Sequence, residues 1–243
     1  MQKAKEKECL YRLNKFKLLL VIGVVCACVS GCKTPEIPIG ESIVARSAEA
    51  KKLAAAKINI RLGIAYLQRQ DISRSKQKFL LALEEAPNLP ESWYAMAYFL
   101  EQTKNNEQAN LYYKKAIALA PSRGDTLNNY GTFLCRVGKY REAVNYFLRA
   151  TLDPKYLDPS AAYENAGLCA AKMPNKVLAM QYFKRALDED PTRTTSLLEL
   201  AKLNYQSKNY EAAEGHLNQY LKLAIPTEET TSLQKDLKER AVG

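Results

Sequence analysis

The sequence predicts an all-α fold built from stacked helical hairpins, and two observations carry the prediction. A frame of residue types recurs every 34 residues. Trp93, Ala97, Ala109, Tyr113, Ala116 and Pro121 match Asn59, Gly63, Ser75, Phe79, Ala82 and Pro87 upstream, and Leu127, Gly131, Ala143, Phe147 and Ala150 downstream. A further shift of 36 residues finds Tyr163, Gly167, Ala179, Phe183, Ala186 and Pro191. The second observation is that no segment shows the strict apolar/polar alternation of a strand. Composition permits the reading: of 243 residues 47% are apolar and 26% charged, as in ordinary globular chains.

The residue types have physical roles. Small side chains at the eighth and twentieth positions of the frame let two antiparallel helices approach closely, and the aromatic at the twenty-fourth fills the space between neighbouring hairpins. A proline near position 32 ends the second helix, because its ring and missing donor forbid another turn. The frame resembles that of tetratricopeptide repeats, whose units pack into a right-handed superhelix. On that resemblance the repeat domain is 45–243, with units 56–89, 90–123, 124–157, 160–193 and 194–227. The last is degenerate, as a terminal repeat with a polar outer face must be: Ala201 and Ala213 are in place, but Leu217 replaces the aromatic and Pro226 comes late. The two additional residues before the fourth unit, Asp158 and Pro159, predict a longer, stiff loop over Asp153–Pro159. Residues 228–243 suggest a short capping helix, and Glu41–Ala55 a segment that extends or precedes the first helix.

Upstream, Lys3, Lys5, Lys7, Arg12, Lys15 and Lys17 precede the uncharged run Leu18–Ser30. That run has the length of an export signal and is short of the roughly 20 apolar residues a spanning helix needs. It ends in Val29-Ser30-Gly31-Cys32, which resembles the lipobox of bacterial lipoproteins: an aliphatic residue, two small ones, then the cysteine that receives diacylglycerol. The resemblance implies a signal peptide over 1–31, lipidation at Cys32, and a lipidated tether over 32–44, where Pro35, Pro38 and Gly40 interrupt any helical period. Lys33 in the following position implies sorting to the outer membrane, because in enteric-type lipoproteins an aspartate there favours the inner one. The alternatives are an uncleaved anchor, or an ordinary export signal followed by a chance cysteine.

Cleavage would also resolve the charge and the cysteines. Residues 1–31 hold six Lys/Arg and two Asp/Glu, leaving 30 cations against 24 anions in the remainder. Those charges are scattered, so the overall excess is a solvated face and not a nucleic-acid stripe. Cys9, Cys26 and Cys28 would leave with the signal, so that Cys135 and Cys169 remain as thiols. In an oxidising compartment two thiols invite a disulfide. Equivalent points on neighbouring helices sit about 8 to 10 Å apart, whereas a bridge needs Cα atoms within about 7 Å; close approach at Gly131 and Gly167 would have to close the gap.

The third and fourth units go beyond the general repeat pattern. Asn128-Asn129-Tyr130-Gly131-Thr132-Phe133-Leu134-Cys135, then Gly138-Lys139-Tyr140-Arg141-Glu142-Ala143, and Glu164-Asn165-Ala166-Gly167-Leu168-Cys169 resemble the type IV pilus biogenesis lipoproteins called PilF or PilW, some of which carry a cysteine in each of those two helices. The resemblance is dense over 124–190. It implies a pilotin, which binds the secretin subunit and promotes its outer-membrane localisation and assembly, or alternatively a stabiliser of assembled pili. A rival outside that family is an envelope scaffold regulating a peptidoglycan enzyme.

First helices of such repeats line a groove, exposing about positions 2, 5, 9 and 12 of each unit: Lys57, Ile60, Ile64 and Leu67, then Glu91, Tyr94, Tyr98 and Glu101. Three aliphatics and two tyrosines there form a protein-binding patch, unless Glu41–Ala55 folds over them. In the third unit the register exposes Asp125, Asn128, Thr132 and Cys135. Asn128 and Asn129 either hold a peptide backbone or serve capping and inter-repeat hydrogen bonds. The residues point away from catalysis: His216 is the single histidine and has no ligand or nucleophile at a useful spacing, and phosphate loops and serine elbows are missing. No metal, cofactor or small-molecule substrate is expected; the expected partners are the secretin and, through the lipid, the outer membrane.

Overall fold

The structure is a computed structural model and describes residues 39–242. The export signal, Cys32 and the tether up to Pro38 lie outside the described residues. The chain divides at Glu49 into two units. Of the first, the description covers Ile39–Glu49, the opening turns of helix α1 (Ile39–Gln68). This corrects the expected boundary of the irregular tether, which extended to residue 44. No proline follows Pro38 within α1, and its two glycines, Gly40 and Gly63, each oppose helix formation by only about 1 kcal/mol.

The second unit, Ala50–Gly243, contains the remainder of α1 followed by α2 (Ile72–Glu85), α3 (Pro90–Gln102), α4 (Asn106–Leu119), α5 (Gly124–Arg136), α6 (Tyr140–Ala150), α7 (Pro159–Ala170), α8 (Lys176–Glu189), α9 (Thr194–Gln206), α10 (Tyr210–Leu223) and α11 (Glu228–Val242). No strand occurs among the described residues. The first ten helices pair into hairpins, and each boundary has a local cause. Gln70, Lys104, Gly138 and Lys208 turn the chain with φ between 60° and 82°. The residue after each returns its N–H five positions back: Asp71 to Tyr66, Asn105 to Leu100, Lys139 to Leu134 and Asn209 to Asn204, at 2.8–2.9 Å. This left-handed cap satisfies carbonyls that a helix end would otherwise leave open. Asp71, Asn105, Asn175 and Asn209 then cap the second helices by accepting from the backbone N–H three residues on. Pro90 and Pro159 open α3 and α7 at the position where a missing N–H costs nothing.

Packing explains the repeat frame. Phe79, Tyr113, Phe147, Phe183 and Leu217 are at most 1% exposed. Within three hairpins the ring lies directly on the glycine of the partner helix, so that a Cβ at Gly63, Gly131 or Gly167 would come within 2.9 Å of Phe79, Phe147 or Phe183. The same residues reach into the next hairpin: Phe79 meets Phe99 at 5.9 Å between centroids, and Tyr113 meets Phe133 at 5.1 Å. The aromatic therefore seals its own hairpin as well as the gap to its neighbour. Ser75, the polar member of its column, is buried and donates to the Gly63 carbonyl at 2.9 Å, which removes the penalty of a buried hydroxyl.

The inserted loop before α7 is tightly held. Asp153 accepts the Gly124 N–H at 2.8 Å, and Tyr156 packs where a side chain at position 124 would stand. Asp158 caps α7 through the Ala161 N–H and accepts from Arg193 at 2.7 Å. At the other end, Leu233 and Leu237 of α11 close a core with Leu197, Ala201, Leu217 and Tyr220, and Lys202 pairs with Glu229 at 2.6 Å.

Candidate protein-binding surface

The first helices α3, α5 and α7 place their polar residues in a connected array. Glu101 near the end of α3 is only 7% exposed, and burying its carboxylate requires partners. Arg136 of α5 supplies two: its Nε–H donates to Oε1, and its NH2 group donates to Oε2 at 2.9 Å. The Tyr113 hydroxyl donates to the same oxygen at 3.2 Å. Burial, followed by the Glu101 charge, pushes the Tyr113 phenol well above its ordinary range, so that it remains a donor. Above this network opens a cleft of about 150 Å³ lined by Tyr94, Tyr98, Tyr113, Asn129, Thr132 and Arg136. Its walls offer aromatic faces, an amide, a hydroxyl and the outer side of a guanidinium that is itself neutralised. Such a lining suits an uncharged or weakly polar side chain of an extended or helical peptide.

The sequence-derived patch is thus redistributed. Tyr94 and Tyr98 do line the cleft, and Tyr98 is 37% exposed. Ile60 is buried at 7% exposure within the core that contains Ala56 and Phe79, and Ile64 and Leu67 pack partly buried against that core. The expected exposure of Ile60 is therefore corrected. At helical spacing Ile60 shares a face with Ala56 and Gly63, and Gly63 is the residue that receives the Phe79 ring. Burial by a folded-over segment is not the cause, because Ala50–Ala55 continue the same helix. Instead Val44, Leu53, Ile58 and Leu62 are the exposed aliphatics among the described side chains of α1. Glu101, expected at the groove surface, lies beneath it.

Asn128 accepts from the Asn165 side-chain amide at 3.1 Å, a bond between consecutive first helices, and its own carbonyl takes the Thr132 hydroxyl at 2.9 Å. Asn129, its neighbour, is the amide that reaches the cleft. Cys135 and Cys169 form a disulfide between α5 and α7 with Cα atoms 5.8 Å apart, inside the limit for a bridge. The position-based reading missed Arg136 and Tyr113. Arg136 stands 35 residues after Glu101, one more than the repeat, and that offset is the signal for an ion pair between adjacent helices.

The remaining chemistry is sparse. His216 Nδ1 lies 2.6 Å from the Ala212 carbonyl on its own helix. Among the described residues no group of three or more His, Cys, Asp or Glu is arranged to hold a metal ion, and no helix is long and apolar enough to cross a membrane.

Comparison with known proteins gives the lineage. The type IV pilus assembly protein PilF of Pseudomonas aeruginosa is 32% identical over 154 residues, which is 63% of this chain and 61% of that protein. The chain thus spans about three fifths of the length of that relative. The solved structure of Pseudomonas aeruginosa PilF superimposes with a TM-score of 0.71 at 28% identity, covering 78% of this chain and 85% of the other. That of PilW, described as a widely conserved type IV pilus biogenesis factor, gives 0.66 at 27% identity, covering 76% and 84%. The chain is homologous to both. Models of the tetratricopeptide repeat match residues 90–123, 134–194 and 177–224, together more than half of the chain, which therefore belongs to the tetratricopeptide-repeat family.

Proposed function

We propose that this protein acts in type IV pilus biogenesis as a lipid-anchored pilotin on the periplasmic face of the outer membrane, holding a secretin subunit and promoting its assembly into multimers. The observation that carries the reading is the similarity to PilF, which extends over sequence and backbone alike. The lipobox ending at Cys32 supplies the anchor; acyl chains bind bilayers at about 0.8 kcal/mol per buried methylene, so several hold the protein stably. Anchoring raises the effective concentration of the subunit at the membrane, which lets a shallow cleft of modest affinity organise assembly. The Tyr94–Tyr98–Asn129 cleft is the contact surface, and the protein works by binding, without catalysis.

The test is the heat-resistant secretin multimer in outer membranes from wild type, a deletion, Cys32→Ser, and a cleft variant carrying Tyr98→Glu with Asn129→Asp. Both cleft substitutions sit at the surface, and circular dichroism checks the fold. The proposal expects loss of multimer in the deletion and the cleft variant, and mislocalised secretin in Cys32→Ser. Persistence of multimer in the deletion removes the pilotin role and leaves stabilisation of assembled pili as the account.

A further inference from the structure

A broad hollow lies away from the cleft, at the turns of the third and fourth hairpins. It encloses about 780 Å³ between Gly138–Val144 on one side and Met173–Leu178 on the other. Its floor is apolar: Tyr140, Val144, Met173 and Leu178 pack on or belong to the main core. Its rim is cationic. Lys139 and Arg141 line it, Lys172 is exposed beside it, and Glu142 is the one acidic residue in the lining. Several cations at inter-helix contacts in this unit are neutralised, Arg123 by Glu91, Arg136 by Glu101, Arg193 by Asp158 and Lys202 by Glu229. Lys139, Arg141 and Lys172 have no ion-pair partner among the described residues.

Two further observations bear on this hollow, and the first shows that its walls are tied together. The Cys135–Cys169 disulfide joins the helices that run into its two walls, three residues before Gly138 and four before Met173, with Cα atoms 5.8 Å apart. The Cys169 sulfur also lies 3.8 Å from the Tyr140 carbonyl, so the bridge touches the hollow's own lining. In addition, α6, whose first turn lines the hollow, lacks the side-chain cap that Asp71, Asn105, Asn175 and Asn209 give the other second helices.

We propose that this hollow is a second docking site, built to receive an acidic amphipathic segment of a partner protein. The apolar floor takes one or two aliphatic or aromatic side chains, and the unpaired cations meet carboxylates flanking them. Charge complementarity selects an acidic partner and disfavours a basic one. Shape selects a protein segment over a membrane: a recess of this volume accepts side chains, whereas a lipid headgroup surface is flat and would meet only the rim. The disulfide fixes the separation of the walls before the partner arrives, which lowers the ordering cost of binding. The site shares no residue with the Tyr94–Tyr98 cleft and does not rest on the pilotin reading.

The experiment is fluorescence anisotropy on the full chain, using a labelled helical peptide of leucine and glutamate with its leucines on one face, and a counterpart with lysine for glutamate. Saturable binding of the acidic peptide is expected, weakened by about tenfold or more, some 1.4 kcal/mol, in the Lys139→Glu/Arg141→Glu variant. The basic peptide should not bind, reduction of the disulfide should weaken the acidic one, and Tyr98→Glu should leave it unchanged. Absence of saturable binding, equal binding to the charge-reversed variant, or equal binding of the basic peptide overturns the proposal. So does sedimentation of the protein with phosphatidylglycerol vesicles that depends on Lys139 and Arg141 in the absence of peptide binding, which would make the occupant a lipid surface.

Discussion

Replacing Gly167 by alanine tests the packing rule that builds each hairpin. In isolation the change favours the helix by about 1 kcal/mol, because alanine is the best helix former and glycine among the poorest. In this fold the new methyl carbon would lie 2.6 Å from two ring carbons of Phe183 and 3.0 Å from a third. Phe183 is fully buried, so its ring cannot swing into solvent and the helices must part. Overpacking of this kind costs about 1 to 3 kcal/mol, leaving a net loss of about 1 kcal/mol after the gain in propensity. The fifth hairpin indicates the remedy, since there Ala201 faces the same column as Leu217, with both buried. Phe183→Leu alone should also destabilise, by leaving space beside Gly167. Together the two changes should recover much of the loss, with a coupling of about 1 kcal/mol or more in a double-mutant cycle from urea unfolding. If Gly167→Ala equals or exceeds wild type in stability, or if the two changes add without coupling, contact between ring and glycine does not determine the repeat frame.

Three other outcomes follow from named contacts. Reducing the Cys135–Cys169 bridge, or replacing it by Cys135→Ser with Cys169→Ala, should lower unfolding stability by about 3 to 4 kcal/mol on the chain-entropy estimate for a closed loop of this length; a loss under about 1 kcal/mol in urea titrations refutes that account. Gly138 holds a φ of 82° with open space around it, so Gly138→Ala should cost about 1 kcal/mol through the backbone alone, while Lys104→Gly at the matching turn should be neutral or slightly stabilising by thermal denaturation. Burial, then the Asp158 charge, pushes the Tyr156 phenol up to about 12. The folded state thus keeps a proton that the unfolded state releases from about pH 10, and this contribution, whole below pH 10, should vanish as pH rises through 12. Tyr156→Phe should flatten that part of the stability profile, and an unchanged slope counts against the assignment.

The Asp153 carboxyl shows the same linkage with the opposite sign. Hydrogen bonds from the Gly124 and Lys155 N–H groups hold it below the ordinary carboxylate range. Its contribution is present above the unfolded value and fades as the pH falls through the lower folded one. Both groups belong to the loop that carries the two inserted residues, and they show why that insertion is ordered: Tyr156 and Asp153 both terminate on Gly124.

What could be read along the chain was whatever depends on near neighbours in sequence. The repeat frame, the prolines that end second helices and the columns of small residue against aromatic are local rules repeated at a fixed period, and they specify helices, turns and hairpin pairing before any packing is known. The alignment of Cys135 with Cys169 was visible, but their separation of 5.8 Å depends on how closely Gly131 and Gly167 let successive first helices stack. Which face of α1 is buried also required the tertiary structure. Counting positions put Ile60 at the groove surface, and the Phe79 ring, seated on Gly63, drew the face shared by Ile60 inward and left Ile58 exposed. The Glu101–Arg136–Tyr113 network that floors the cleft joins three helices. Such an arrangement has no signature in any one of them, because the cost of burying a carboxylate is met only when separate hairpins bring its partners within hydrogen-bonding reach.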